Sequence, residues 1–200
     1  MKCSKNLEKL VRKVPKNDPL LLEALLVIKY LEPIGRILLS RMLDVGEKRS
    51  RNILLTLRRH GFVEHTRGGA VLTEEAKQLL DIIVCESVDN YTAAIVPCAI
   101  DSESILEVRD LLVLSLGSPK PLEAIGVIAD GDAVFPGVPE VYARSYVSAA
   151  RKLIAKKLFL LNIDASIALF QRSCLYKCCS RFLHVFTSSL MRSATMSRTR

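Results

Sequence analysis

The stretch from Gly46 to Phe62, GEKRSRNILLTLRRHGF, threads Lys48, Arg49, Arg51, Arg58, Arg59 and His60 among Ile53, Leu54, Leu55 and Leu57. Cations at this density bind polyanions. Arg and Lys contact phosphates and pair with the guanine O6/N7 edge, and Asn pairs with adenine N6/N7. Asn52 lies in the same stretch, so side chains for both tasks are present. The competing reading of any such run is a solvated basic helix. Three other groups could do chemistry. Asp130 and Asp132 lie two apart around Gly131, where carboxylates are favoured for backbone reasons. Arg109 and Asp110 are neighbours on an expected helix, where adjacent residues do not face each other, so ion pairs with other groups are expected. Cys174, Cys178, Cys179 and His184 match no common zinc spacing. No glycine-rich phosphate loop follows a strand. The chain is therefore expected to be no enzyme, with no cofactor and no metal.

The elements around the basic stretch are readable from their punctuation. Residues 1–17 form a basic segment closed by Pro15 and by Asn17-Asp18-Pro19. Asp18 suits an N-cap with Pro19 at the first helical position. The helix that follows, PLLLEALLVIKYLE, has Leu21, Leu25 and Ile28 on one face and Leu22 and Leu26 on a second, which implies a partner helix or complete burial. A further helix starts near Ile34, with Ile37, Leu38 and Leu43 expected in the core. After a turn at Val45-Gly46 comes a helix over 47–60, capped at its end by Gly61. Within it Ser50, Ile53, Leu54 and Leu57 fall inside about 100° of arc and form a core stripe. Lys48, Arg51, Asn52, Leu55 and Arg59 point the other way. FVEHT and AVLT read as two short strands around an Arg67-Gly68-Gly69 turn. Thr73 caps a last helix carrying Ala76, Leu79, Leu80 and Ile83.

This order resembles a winged helix-turn-helix DNA-binding regulator over 18–90. The residues that carry the resemblance are Glu47 and Arg51 opening the third helix, Leu54 with Leu57, Gly61, Phe62-Val63, the Gly-bearing wing, and Leu72-Thr73. Ala76 stands where many members carry glycine. The resemblance implies a recognition helix, 47–60, in the major groove and a wing, 66–70, on the adjacent minor groove or backbone. Lys48, Arg49, Arg51 and Asn52 are then the expected base readers. Arg58, Arg59 and Arg67 are the expected phosphate or minor-groove contacts, with Arg36 and Arg41 as weaker ones. Leu55 is left either touching a thymine methyl or simply exposed. The implied protein is a homodimeric transcription regulator of double-stranded DNA with room for a small-molecule effector. A winged helix used as a protein-interaction module, through Leu22, Leu26 and Leu55, is the alternative. A small-molecule-binding or enzymatic second domain is the third.

Residues 91–164 read as a small α/β domain for ligand sensing or oligomerisation, giving an α+β chain as a whole. YTAAIVPCAI is an expected strand, DSESILEVRDLLVLSL a helix capped by Asp101 or Ser102, AIGVIADGDAVFPG a hairpin turning at Asp130-Gly131, and a helix follows Pro139. Val108-Arg109-Asp110 ahead of GDAVFPG is similar to the uncharacterised C-terminal domain of a family of archaeal winged-helix proteins. Residues 165–200 hold no acidic residue and no glycine, but three cysteines and seven serines. This composition predicts a poorly folded tail without function, as a divergent or out-of-frame end would give.

Charge follows the same division. Residues 1–90 hold 16 Lys/Arg against 12 Asp/Glu, residues 91–164 hold 7 against 9, and residues 165–200 hold 6 against 0. The middle is not a nucleic-acid surface by composition, and the net +8 is mostly terminal. The first residues carry no secretory h-region, so the six cysteines are expected as thiols in a cytoplasmic protein. The apolar run LLLEALLVI is far shorter than the ~20 residues of a membrane span, and no membrane partner is expected.

Overall fold

A computed structural model describes residues 2–15, 18–101, 104–157 and 162–196. The basic segment at the start is ordered: after β1 (Lys2–Cys3), Ser4 opens α1 (Lys5–Lys13) by accepting from the Leu7 amide at 3.2 Å. Leu7, Leu10 and Val14, at i, i+3 and i+7, bury one face of it. Its first signal is therefore a capping serine ahead of three apolar residues, hidden among lysines.

Asp18 caps α2 (Pro19–Leu31) through a 3.0 Å bond from the Leu20 amide, with Pro19 at the first position as expected. Every residue from Leu21 to Ile28 is buried, Glu23 included. The helix is thus enclosed on all sides. Beyond it Ile34 exchanges both backbone hydrogen bonds with Ala70, at 3.0 and 2.8 Å, and α3 (Arg36–Met42) begins. Ile37 and Leu38, expected in the core, are 48% and 46% exposed, whereas Leu39 is fully buried beside Leu43. In a seven-residue helix packed on its neighbours at one short arc, the phase is set by those contacts, and the apolar run Ile37-Leu38-Leu39 cannot reveal it.

The next helix, α4 (Glu47–Arg59), leads into the hairpin β2 (Val63–Thr66) and β3 (Gly69–Leu72), and Thr73 caps α5 (Glu74–Leu80). The Thr73 hydroxyl accepts from Ala76 N at 3.3 Å and donates to the Gly61 carbonyl at 2.8 Å, so one side chain closes one helix and opens another. The final turn around Ile83 lies outside α5. There the Lys29 ammonium donates to the Leu80 and Ile83 carbonyls at 2.8 and 2.9 Å, satisfying the end of α5, and burial draws its pKa down to about 8.

Past residue 83 the chain builds a sheet. β4 (Val84–Val88) and β5 (Tyr91–Val96) form a hairpin whose turn, with Asp89 at φ 50°, spans the position where the sequence changes periodicity. β6 (Cys98–Ala99) pairs with β1. Asp101 caps α6 (Ser104–Leu116) with a 2.8 Å bond from Ser104 N; Ser102, the other expected cap, lies outside the described residues. β7 (Leu122–Ala129) and β8 (Asp132–Val134) are the expected hairpin, with Asp130 and Gly131 both at positive φ. The long helix α7 (Glu140–Lys156) follows Pro139.

Composition marks residues 165–200 as a poorly folded tail, yet a strand and a helix drawn from it lie at the centre of the molecule. β9 (Ala165–Gln171) lies between β5 and β7 in an antiparallel sheet of order β4-β5-β9-β7-β8, and α8 (Leu175–Met196) packs across it. Alternate residues of β9 enter two cores. Ile167 and Leu169 join α7 on one face, and Ala168 and Phe170 join α8, α6 and α2 on the other. Phe182, Leu183 and Phe186 of α8 are fully buried. α8 therefore lies between the sheet and α2, and the second face of α2 finds its partner helix there. At this interface burial raises the Glu23 carboxyl, against the opposing pull of Arg181 and Lys177 on α8. The result is a mixed α+β fold in which the α2–α5 unit shares one core with the sheet.

The cysteines are not scattered thiols, contrary to the sequence expectation. Cys3 pairs with Cys98, Cys85 with Cys179 and Cys174 with Cys178, so the described residues include no free thiol. Two of these links join residues 94 and 95 positions apart, a proximity that only the finished topology creates.

Candidate nucleic-acid interface

Two anchors orient α4. Buried Ser50 donates to the Arg36 carbonyl at 3.0 Å, tying α4 to α3, and Ile53, Leu54 and Leu57 complete the buried stripe as expected. At its far end Gly61, at φ +70°, lets the chain reverse and sends Phe62 into the core. With that stripe inward, Lys48, Arg51, Asn52, Leu55, Arg58 and Arg59 all face solvent. At 100° per residue they occupy roughly 120° of the helix surface. Among the described residues no carboxylate lies within ion-pair distance of Lys48, Arg51, Arg58 or Arg59.

Arg49 sits at the margin of this band. Its guanidinium reaches the Asp18 carboxylate at 3.9 Å, an exposed contact of little energetic weight. Arg36 is held at 3.5 Å from Glu47, and Arg41 is exposed. Arg49, one of the expected base readers, thus leans toward the N-terminus of α2.

Arg67 is exposed at the tip of the β2–β3 hairpin. The hairpin is held twice: the Thr66 hydroxyl donates to the Gly69 carbonyl at 3.0 Å, and Ala70 pairs with Ile34. Gly69 has φ +134°, and a Cβ there would stand 2.6 Å from the Ile34 carbonyl oxygen. Gly69→Ala is therefore expected to cost about 2 kcal/mol and to detach the hairpin from Ile34. The checking measurement is faster amide exchange at Ile34 and Ala70 together with a lower thermal midpoint.

The other groups singled out in the sequence lie elsewhere. Asp132 accepts from Arg151 Nε and Nη2 at 3.0 and 2.8 Å, and this guanidinium, helped by the Ala133 amide, holds its carboxyl down to about 2. Asp130 occupies the turn at φ 51°. Arg109 and Asp110 pair with each other, at 3.1 and 3.0 Å, rather than with other groups: both side chains are exposed and long enough to bend back along the helix surface. Cys178 and Cys179 are engaged with Cys174 and Cys85, while half-buried His184 has its pKa lowered by burial. Among the described residues no set of three ligand side chains is arranged for a metal. An open groove of about 620 Å³ runs along α7, lined by Ala143, Val147, Ser148 and Ala155 with Arg144, Arg151 and Lys152. Those three cations are already paired with Glu140, Asp132 and Asp89. Among the described residues no helix is long and apolar enough to cross a membrane.

The fold has a solved counterpart. A hypothetical protein from Pyrococcus horikoshii OT3 matches with a TM-score of 0.55 and 24% identity, over 82% of this chain and 89% of that one. At this identity the likeness carries the fold alone. No family model matches the sequence, and no curated protein matches it.

Proposed function

We propose that this chain binds double-stranded DNA sequence-specifically as a transcription regulator, with α2–α5 acting as a winged helix. The supporting observation is the solvent-facing band on α4, whose cations Lys48, Arg51, Arg58 and Arg59 have no carboxylate partner among the described residues and whose helix is anchored by Ser50 and Gly61. The proposed pose lays α4 in the major groove, with Lys48, Arg51 and Asn52 near base edges and Arg58 and Arg59 on phosphates. Arg67, on its pinned hairpin, meets the neighbouring minor groove or backbone. Arg49 keeps its assigned base-reading role by releasing Asp18, a contact weak enough to exchange. The protein acts as a homodimer on paired half-sites, which size-exclusion chromatography of the bound and free protein checks.

Selection of bound duplexes from a random pool, repeated at two salt concentrations, tests this reading. Affinity is expected to fall steeply with salt, with a log–log slope of about −0.9 per phosphate contacted. Arg59→Ala should weaken all duplexes alike and flatten that slope by about 1. Replacing Lys48 and Arg49 together by Ala should remove the sequence preference at the base pairs those two side chains contact. Salt-insensitive binding, or none, refutes the proposal.

The protein-interaction reading loses most of its surface. Leu22 and Leu26 are 3% and 0% exposed, which leaves only Leu55 of the three residues it invoked.

A further inference from the structure

Leu55 is 39% exposed, and of the exposed residues on α4 (Glu47, Lys48, Arg49, Arg51, Asn52, Leu55, Arg58 and Arg59) it alone is apolar. It is also central. On the helix surface it falls between Arg51 and Arg58 on one side and Lys48, Asn52 and Arg59 on the other. Its nearest neighbours along the face, at i−4, i−3 and i+4, are Arg51, Asn52 and Arg59. A lone exposed leucine needs no explanation by itself. One ringed by cations that have no carboxylate partner among the described residues does, because whatever covers it also covers them. An apolar protein patch seated on Leu55 would desolvate Arg51 and Arg59 without compensation, at a cost exceeding what one leucine returns. The complementary partner is a polyanion carrying an isolated apolar group between its charges. B-form DNA has this arrangement: the thymine C5-methyl projects into the major groove between two phosphate rows. Double-stranded RNA has neither the methyl nor a major groove that side chains can enter.

We infer that Leu55 is the specificity-determining residue for a thymine methyl in the bound duplex. The inference rests on the DNA-binding reading and deepens it by naming what the centre of α4 recognises. Asn52 and Arg51 read hydrogen-bonding edges, whereas Leu55 reads the one base feature that has no hydrogen bond to offer. The same contact accepts 5-methylcytosine, which carries its methyl at the same place on the groove floor.

The experiment takes a selected duplex and replaces its thymines one at a time by deoxyuridine, deleting only the methyl. The full-length wild type, Leu55→Ala and Lys48→Ala are each measured against the series. Leucine and alanine have similar helix preference, so the exposed substitution keeps α4 intact. In the wild type, one position per half-site should lose about fourfold in affinity, the effect of one methyl-sized contact. Leu55→Ala should bind the parent duplex several-fold more weakly and be indifferent to deoxyuridine at that position. Lys48→Ala should bind more weakly yet keep the fourfold response. Wild type indifferent to every deoxyuridine, or Leu55→Ala responding as the wild type does, overturns the inference while leaving duplex binding in place. Failure of the wild type to bind any duplex overturns the DNA-binding reading and this inference with it.

Discussion

Phe182→Ala is expected to lower stability by about 3 to 5 kcal/mol, the range for removing a fully buried phenyl ring from a core. Phe182 is 0% exposed on α8, and its ring meets Phe170 of β9 at 6.4 Å and Phe186 at 4.9 Å, both edge-on. Its loss leaves a cavity where α8 lies over the sheet, and the aromatic pairs go with it. Set against a usual total of about 5 to 15 kcal/mol, this removes much of the margin. The thermal midpoint should drop by roughly 10 °C or more. Because α2 packs on α8, DNA affinity should fall as well at temperatures near that midpoint, although Phe182 belongs to no part of the proposed interface. Exposed Lys177→Ala on the same helix is the control, and it should leave the midpoint within a degree or two. An unchanged midpoint in Phe182→Ala would mean that residues beyond 165 do not form the core described above.

The second large effect is expected at Cys85 and Cys179. Their Cα atoms are 5.9 Å apart, and the link closes a loop of 94 positions between β4 and the first turns of α8. Restricting so long a loop in the unfolded chain stabilises the folded one by about 3 to 4 kcal/mol. Replacing both residues by Ser should lower the midpoint under non-reducing conditions by roughly 10 °C. Peptide mapping of the unreduced wild type should recover the 85–179 pair. Recovery of both as free thiols, or an unchanged midpoint in the double variant, contradicts the pairing.

Where the sequence was legible, a single physical signal acted locally. The buried stripe of α4 and the capping roles of Asp18, Gly61 and Thr73 depend only on helix periodicity and nearest neighbours. The hairpin at Asp130-Gly131 depends only on which residues tolerate positive φ. The readings failed where tertiary context decides. β9 is buried on both faces as the central strand, so Ile167 to Phe170 run apolar without a break and show no alternation. α8 packs on α2, α6 and the sheet, and its buried Cys178, Cys179 and Ser180 suit tight packing more than they mark disorder. In α1, Leu7, Leu10 and Val14 bury one side while Lys5, Glu8, Lys9 and Arg12 stay exposed, so its composition reads as basic and polar. Cysteine pairing across 94 and 95 positions has no local signature. In the candidate site, the composition of the basic band was visible early. The sideways turn of Arg49 toward Asp18 was not, because it depends on where the N-terminus of α2 docks.

The position of β9 also bears on how the molecule comes into being on the ribosome. Strands β4–β5 and β7–β8 emerge as two separate hairpins, each with an apolar edge facing a vacant slot that only residues 165–171 can fill. Open edges of this kind template wrong partners. A nascent chain halted before residue 171 would thus hold α4 while the sheet is unfinished, with α2 bare on the side α8 should cover. Emergence of β9 and α8, and not emergence of the basic helix, is then the event that completes the support under the proposed reader.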